Sequence, residues 1–479
     1  MFIQAKKTPI QSIKETIVVG CFDKGLSSLS SLDDALGGYV KKSLKSGILS
    51  TSFGEINRFQ PTSGLAAPEV LVVGLGDKKK TESEYRELFQ KVTKALKRDV
   101  YLFVDSFVSK SLKVTEVASL LAEEFVLTSY KFDQLKSTAK PAVAINVYYY
   151  SQTDLTSEIA DAVIISTGAN SAKTLVNLPH NYLNSVHLAD YAVKLAKRLK
   201  LEYKIYDKPE IEALGMTAFL AVNQGSSVPP KLIVIKYQGK KKWSDPIALV
   251  GKGLTFDTGG YNIKQNSKNM KSDMGGAATV LGTLEAAATL KLKENIVLII
   301  ASTDNMVSAE AFVPDDVVTA ANGKTIEIFS TDAEGRLTLA DALWFAQTKE
   351  GASRIIDFAT LTGAVIVAIG KYTGVFSNSK SMVNQFLQAA EQTNELAWEL
   401  PIGPFFKKAI QGKVADIDNA GTRSGGASAA AAFLEEFIEP KTKWVHCDIA
   451  GSATDSDNFG TGAMVRTTIQ FLRSNEKGQ

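Results

Sequence analysis

The sequence predicts an α/β protein of two domains, each a mostly parallel sheet flanked by helices, with the C-terminal sheet doubly wound. Three observations carry that reading. Short runs of β-branched and aliphatic residues alternate with amphipathic stretches along the chain. Many of those runs are apolar throughout, as strands covered on both faces must be. At 479 residues the chain is also too long for one ordinary core.

In residues 1–150, strands are predicted at ETIVVGCF (15–22), EVLVVGLG (69–76) and DVYLFVD (99–105), with a helix over SEYRELFQKVTKALKR (83–98). A helix over TSEIADAVIISTGANSAKTLVN (156–177) lies at the join, so the division falls into 1–150, a connecting helical segment 151–170, and a larger domain 171–479. In the larger domain the strand candidates are LEYKIYD (201–207), KLIVIKYQG (231–239), PIALVGKG (246–253), NIVLIIAS (295–302), RIIDFATL (354–361) and KWVHCDIAG (443–451). A β-like TIEIF (325–329) precedes a helix-like LTLADALWFAQ (337–347), and MGGAATVLGTLEAAATLK (274–291) is a second helix.

Composition narrows the function. With 45% hydrophobic and 22% charged residues and a net charge of +3, the chain has the balance of a soluble protein and no long basic block for nucleic acid. The lysine runs at 77–80 and 239–243 read as solvated faces. Cys21 and Cys447 are far apart and fit a reduced, cytoplasmic setting. The first twenty residues lack the apolar core of a signal peptide, and no stretch reaches membrane-span length. GLGDKK (74–79) lacks the third glycine of a dinucleotide fingerprint. Only His180, His187 and His446 occur, without ligand spacing, so any metal would be held mostly by oxygen.

Ligands in open α/β sheets bind outside the carboxyl ends of the strands, and charges collect there. Lys252 and Asp257 follow one predicted strand, and Lys264 comes soon after. Asp273 opens a helix, where a carboxylate often does no more than cap N–H groups. STDAEGRL (330–337) brings Asp332, Glu334 and Arg336; in an extended stretch Asp332 and Glu334 point to one side. Taken singly, Lys252 suits the surface and the Asp332, Glu334, Arg336 triplet suits an internal salt-bridge cluster. Together, four carboxylates at one sheet edge need cations, and two divalent ions would balance them.

These residues carry a resemblance. VGKGLTFDTGG (250–260), MKSDMGGAATV (270–280), NGKTIEIFSTDAEGRLTLADAL (322–343), DFATLTGA (357–364), GGASAAAAFLEEFI (425–438) and WVHCDIAGSA (444–453) strongly resemble the leucyl aminopeptidase family, the M17 cytosol aminopeptidases. The resemblance implies a cytoplasmic D3 homohexamer that removes N-terminal residues from peptides with two divalent ions, Mn²⁺ or Zn²⁺. By position, Asp257, Asp332 and Glu334 would hold one ion, and Lys252, Asp257, Asp273 and Glu334 a second, tighter one. Lys264 would stabilise an oxyanion. Arg336, with backbone near Gly335 and Leu361, would hold a bicarbonate acting as general base. Met270, Thr360 and Gly363 would line the pocket for an apolar first residue such as Leu or Met.

The sequence also departs from the family pattern. Ser330 stands where Asn is usual, the loop between Asp257 and Asp273 is shorter, and Ser185 replaces a typical proline. Ala309, Val313 and Asp315 replace family glycines and an arginine. A competing reading is a DNA-binding regulatory or architectural role, which the mild net charge supports only weakly.

Overall fold

A computed structural model describes the chain except for residues 24–28, 78, 140–143, 423 and 478–479. It contains two compact units, Met1–Ser166 and Thr167–Gln479, and the boundary falls within one helix, Thr156–Asn177. Lys78, in the first lysine run, lies outside the described residues. In the second run Lys240 is not simply solvated, because its ammonium pairs with the buried Glu294 at 2.6 Å.

The first unit is organised by six strands: β1 (Phe2–Gln4), β2 (Thr16–Phe22), β3 (Ile56–Phe59), β4 (Val70–Gly76), β5 (Val100–Phe103) and β6 (Val147–Tyr150). They form one sheet in the order β1-β6-β5-β2-β4-β3, parallel except for the edge pair β3 and β4. Alternation explains why the runs are apolar throughout. Val18, Leu71 and Val73 enter one core with Leu88 and Phe89, whereas Ile17, Val19, Val70 and Val72 enter another with Leu32 and Val40. The helix Glu82–Ala95 begins at a capping box: Glu84 N–H donates to the Thr81 hydroxyl and Thr81 N–H to the Glu84 carboxylate.

The second unit adds β7 (Glu202–Tyr206), β8 (Lys231–Gln238), β9 (Ile247–Asp257), β10 (Asn295–Asn305), β11 (Val317–Thr319), β12 (Thr325–Glu327), β13 (Arg354–Ala359), β14 (Thr373–Ser377), β15 (Ala397–Glu399), β16 (Ile417–Asp418) and β17 (Lys443–Asp448). The main sheet runs β15-β14-β17-β13-β9-β10-β8-β7. Its four central strands, β17, β13, β9 and β10, are parallel. The margins are not: β8 runs against both β10 and β7, and β14 runs against β17. Helices cover both faces, Gly275–Leu290 on one and Thr217–Asn223 with Gly335–Thr348 on the other. Gly275–Leu290 is buried over almost its whole length, which its small residues permit.

A small third sheet, β11-β12-β16, stands apart from the main one. In it β12 pairs with β11 antiparallel and with β16 parallel. Asn419 follows β16 directly, and its N–H donates to the Glu327 carbonyl at 3.0 Å.

Candidate functional site

Because the four central strands are parallel, their carboxyl ends lie on one side of the sheet. There β9 carries Lys252 and ends on Asp257, β10 ends on Asn305 in register with Asp257, Thr360 follows β13, and β17 ends on Asp448. STDAEGRL crosses the same edge before its last three residues enter the helix Gly335–Thr348.

Two lysines hold the carboxylates together. Lys252 Nζ lies 2.8 Å from Asp273 and 3.0 Å from Glu334 Oε1, and it donates to the Thr360 carbonyl at 3.0 Å. Lys264 Nζ lies 2.8 Å from Asp257 Oδ2 and 2.5 Å from Asp332 Oδ1. Burial opposes a charge on Lys252, but Asp273, Glu334 and Asp257 outweigh it and raise its pKa. Lys264 is raised in the same way, burial being outweighed by Asp257 and Glu334. Burial and the neighbouring Asp257 push the Glu334 carboxyl up. The cluster is therefore short of positive charge.

Those residues fit a divalent ion. One oxygen each from Asp257, Asp332 and Glu334 lie within 4.8 Å of one another. Glu334 Oε2 is buried without a hydrogen-bond partner, an acceptor that an ion would satisfy. Gly335 lies close beside it: a Cβ there would come within 2.3 Å of Lys252 Cε and push the lysine off its partners. Gly259, at φ +85°, turns the chain after Asp257, and its N–H donates back to Asp257 Oδ1 at 2.9 Å.

Arg336 behaves differently. Its Nη1 donates to the Asn419 carbonyl at 2.7 Å, and among the described residues no carboxylate pairs with it. Its Nε is buried without a partner, and burial lowers its pKa to about 10. A guanidinium left half-satisfied in this way suits a planar anion. Of the backbone expected to help, Leu361 N–H donates to Asp448 Oδ1 at 3.1 Å, and Gly335 is buried. Asp448 also accepts from the Thr362 hydroxyl at 2.6 Å and so fixes the turn after β13.

The structure corrects three simpler readings. Asp273 caps nothing: it lies in the short 3₁₀ turn Met270–Met274, and its carboxylate accepts from Lys252 and from the Thr360 hydroxyl at 2.8 Å. Lys252 is buried, not a surface lysine. Asp332, Glu334 and Arg336 do not pair among themselves, and residues 331–332 form a turn, not an extended strand. Of the proposed pocket residues, Met270 opens the turn that carries Asp273, Thr360 touches both Lys252 and Asp273, and Gly363 is exposed at the start of the helix Gly363–Ile369.

Sequence reasoning missed the asparagines that join the loops. Asn305 Nδ2 donates to Asp257 Oδ1 at 2.8 Å and to the Thr331 carbonyl at 3.0 Å. Thr331 N–H donates to Asn262 Oδ1, and Asn262 N–H to the Thr331 hydroxyl, each at 2.8 Å. Asn419 holds the same loop through Phe329, Ser330 and Ala333. For Asn305 the available signal was its place at the end of a strand parallel to β9; Asn419 gave none.

Comparison with known proteins places this chain in a family. Residues 170–469 match the catalytic domain of the cytosol aminopeptidase family, and residues 18–139 match its N-terminal domain. The chain belongs to that family, the M17 aminopeptidases, and its class is that of a peptide hydrolase. It is 43% identical to a probable cytosol aminopeptidase of Bacillus licheniformis over 96% of this chain and 97% of the relative. It is 42% identical to the Bacillus subtilis protein of the same description, over 95% of each. Among solved structures, a mutant of tomato leucine aminopeptidase superposes with a TM-score of 0.88 at 30% identity, covering 99% of this chain and 96% of that one. The bottromycin maturation enzyme BotP, solved in complex with Mn, gives a TM-score of 0.85 at 28% identity, covering 97% and 100%. No described helix is long and apolar enough to cross a membrane.

Proposed function

We propose that this aminopeptidase uses two divalent metal ions to remove the N-terminal residue of peptides, with apolar first residues such as Leu preferred. The observation that carries the reading is the convergence of oxygens from Asp257, Asp332 and Glu334 within 4.8 Å at the carboxyl ends of the central strands. Asp257, Asp332 and Glu334 would hold one ion, and Lys252, Asp257, Asp273 and Glu334 the other. Oxygen-rich ligation suits Mn²⁺, with Zn²⁺ the second choice, and the Mn complex of BotP supports a divalent ion. When bound, such ions supply a water acidic enough to attack at neutral pH and a Lewis acid for the scissile carbonyl.

The chain's own groups do the rest. Lys252 must give up its proton to serve as a ligand, so its ammonium is the form that metal loading displaces. Lys264, kept charged by Asp257 and Asp332, is placed to donate to the oxygen on which negative charge develops. Arg336 would hold a bicarbonate, the general base that the family resemblance implies, with backbone at Gly335 and Leu361 beside it. Met270, Thr360 and Gly363 would border the first side chain, and a D3 homohexamer is the expected assembly. The test is hydrolysis of a leucine anilide: it should require Mn²⁺ or Zn²⁺ and stop with a chelator. Full activity after exhaustive metal removal overturns the reading.

A further inference from the structure

Asn419 is fully buried and spends its whole side chain on the loop that leads to the helix Gly335–Thr348. Its Oδ1 accepts from Phe329 N–H at 2.8 Å and from Ser330 N–H at 3.1 Å. Its Nδ2 donates to the Ser330 carbonyl at 2.7 Å and reaches the Ala333 carbonyl at 3.4 Å. Those contacts bracket Asp332, which is the exposed carboxylate of the cluster: its side chain is 37% accessible, against 2% for Glu334. Asp332 lies in a turn, so no ladder of a strand or helix fixes it. Among the described residues its own N–H has only the Ser330 hydroxyl, at 3.2 Å.

We infer that Asn419 is a positioning residue that sets the geometry of Asp332 toward the ion this carboxylate would hold. The inference rests on the two-metal reading. Glu334 is secured independently: its carbonyl accepts from Leu337 and Thr338 N–H, and Lys252 holds its Oε1. Loss of the Asn419 amide therefore loosens Asp332 while leaving Glu334, Asp257 and Asp273 in place. The contact of Asn419 with Arg336 runs through its backbone carbonyl and survives any side-chain substitution. Partners that orient a metal ligand commonly alter affinity without touching the ion.

Asn295 supplies a matched control. It is equally buried, its Nδ2 donates to the Lys242 carbonyl at 2.8 Å and the Ser244 carbonyl at 3.0 Å, and it lies at the amino end of β10, opposite the site. The experiment titrates Mn²⁺ into the metal-free full chain and follows free ion by electron paramagnetic resonance. In Asn419→Ala, affinity for the ion that Asp332→Ala loses should fall about 10–100-fold, with the other ion within about threefold. Asn419→Asp keeps the shape and both acceptor contacts but removes the two donors, so it should weaken the same ion if the alanine variant does not fold. Asn295→Ala should lower the thermal midpoint and leave both affinities alone. Wild-type affinities in a folded Asn419 variant, equal weakening of both ions, or the same weakening in Asn295→Ala overturns the inference. A wild-type chain that binds fewer than two ions instead overturns the two-metal reading, and Asn419's role falls with it before any variant is made.

Discussion

Two acidic clusters in this molecule are finished to different degrees. In the first unit, Glu82, Glu123 and Glu124 grip Arg86 at 2.7–3.1 Å, and Gln90 takes the second oxygen of Glu124 at 2.9 Å. Burial opposes the Arg86 charge, but the three carboxylates outweigh it. In the second unit, four carboxylates share two lysines, and among the described residues Glu334 Oε2 has no partner and Arg336 no carboxylate. Carboxylate number does not distinguish the two clusters; the unspent hydrogen-bonding capacity of Glu334 Oε2 and Arg336 Nε does.

That contrast can be broken most directly at Glu334. Glu334→Ala should reduce leucine-anilide hydrolysis by at least about three orders of magnitude, and a variant retaining most of its rate would end the distinction. Lys264→Ala should lower kcat about 100–1,000-fold with both ions still bound. If metal analysis shows the ions leaving along with the rate, Lys264 is a structural counter-charge like Arg86. The reverse test is Arg86→Leu, which strands three carboxylates. It should cost about 3–5 kcal/mol of stability, read by chemical unfolding, with metal content and kcat unchanged.

A third buried carboxylate sharpens the comparison through pH. Asp341 accepts from Phe219 N–H and Ala321 N–H at 2.8 Å, yet burial raises its pKa to about 7. A carboxyl raised on folding contributes stability that is fully present below its unfolded value, about 3.9, and lost as pH rises through about 7. Thermal midpoints of the metal-free chain should fall from pH 5 to 8, and Asp341→Asn should flatten that fall by at most about 1.4 kcal/mol per pH unit. An identical slope in the variant would mean that its backbone donors keep Asp341 ionised throughout. The smallest effect is expected at Ser330, whose hydroxyl accepts from Asp332 N–H. An asparagine can make the same turn, so Ser330→Asn should change kcat/KM for a leucine substrate less than about tenfold, the reach of one hydrogen bond. A peptide panel varied at the first residue would detect it.

The central strands and the charged residues at their ends were legible because buried parallel strands read as continuous apolar runs, and ionisable residues stand out against them. The direction of β8 and β14 was not legible, since a strand buried on both faces has the same composition in either direction. β15, β11 and β16 are two or three residues long, too short to leave a period. Nothing near Lys252 in the sequence signals its burial, since Gly335, which lies close against its side chain, comes 83 positions later. Asn419 could not be found locally either, because its partners are 86–90 residues away and its neighbours show no periodicity.

That separation matters during synthesis. Lys252, Asp257, Lys264, Asp273, Asp332, Glu334 and Arg336 all precede residue 337, whereas the amide that braces Phe329, Ser330 and Ala333 arrives only at residue 419. On the two-metal reading, a nascent chain stopped between those points would carry every proposed metal ligand without the buttress for one of them, because that buttress belongs to the segment just after β16.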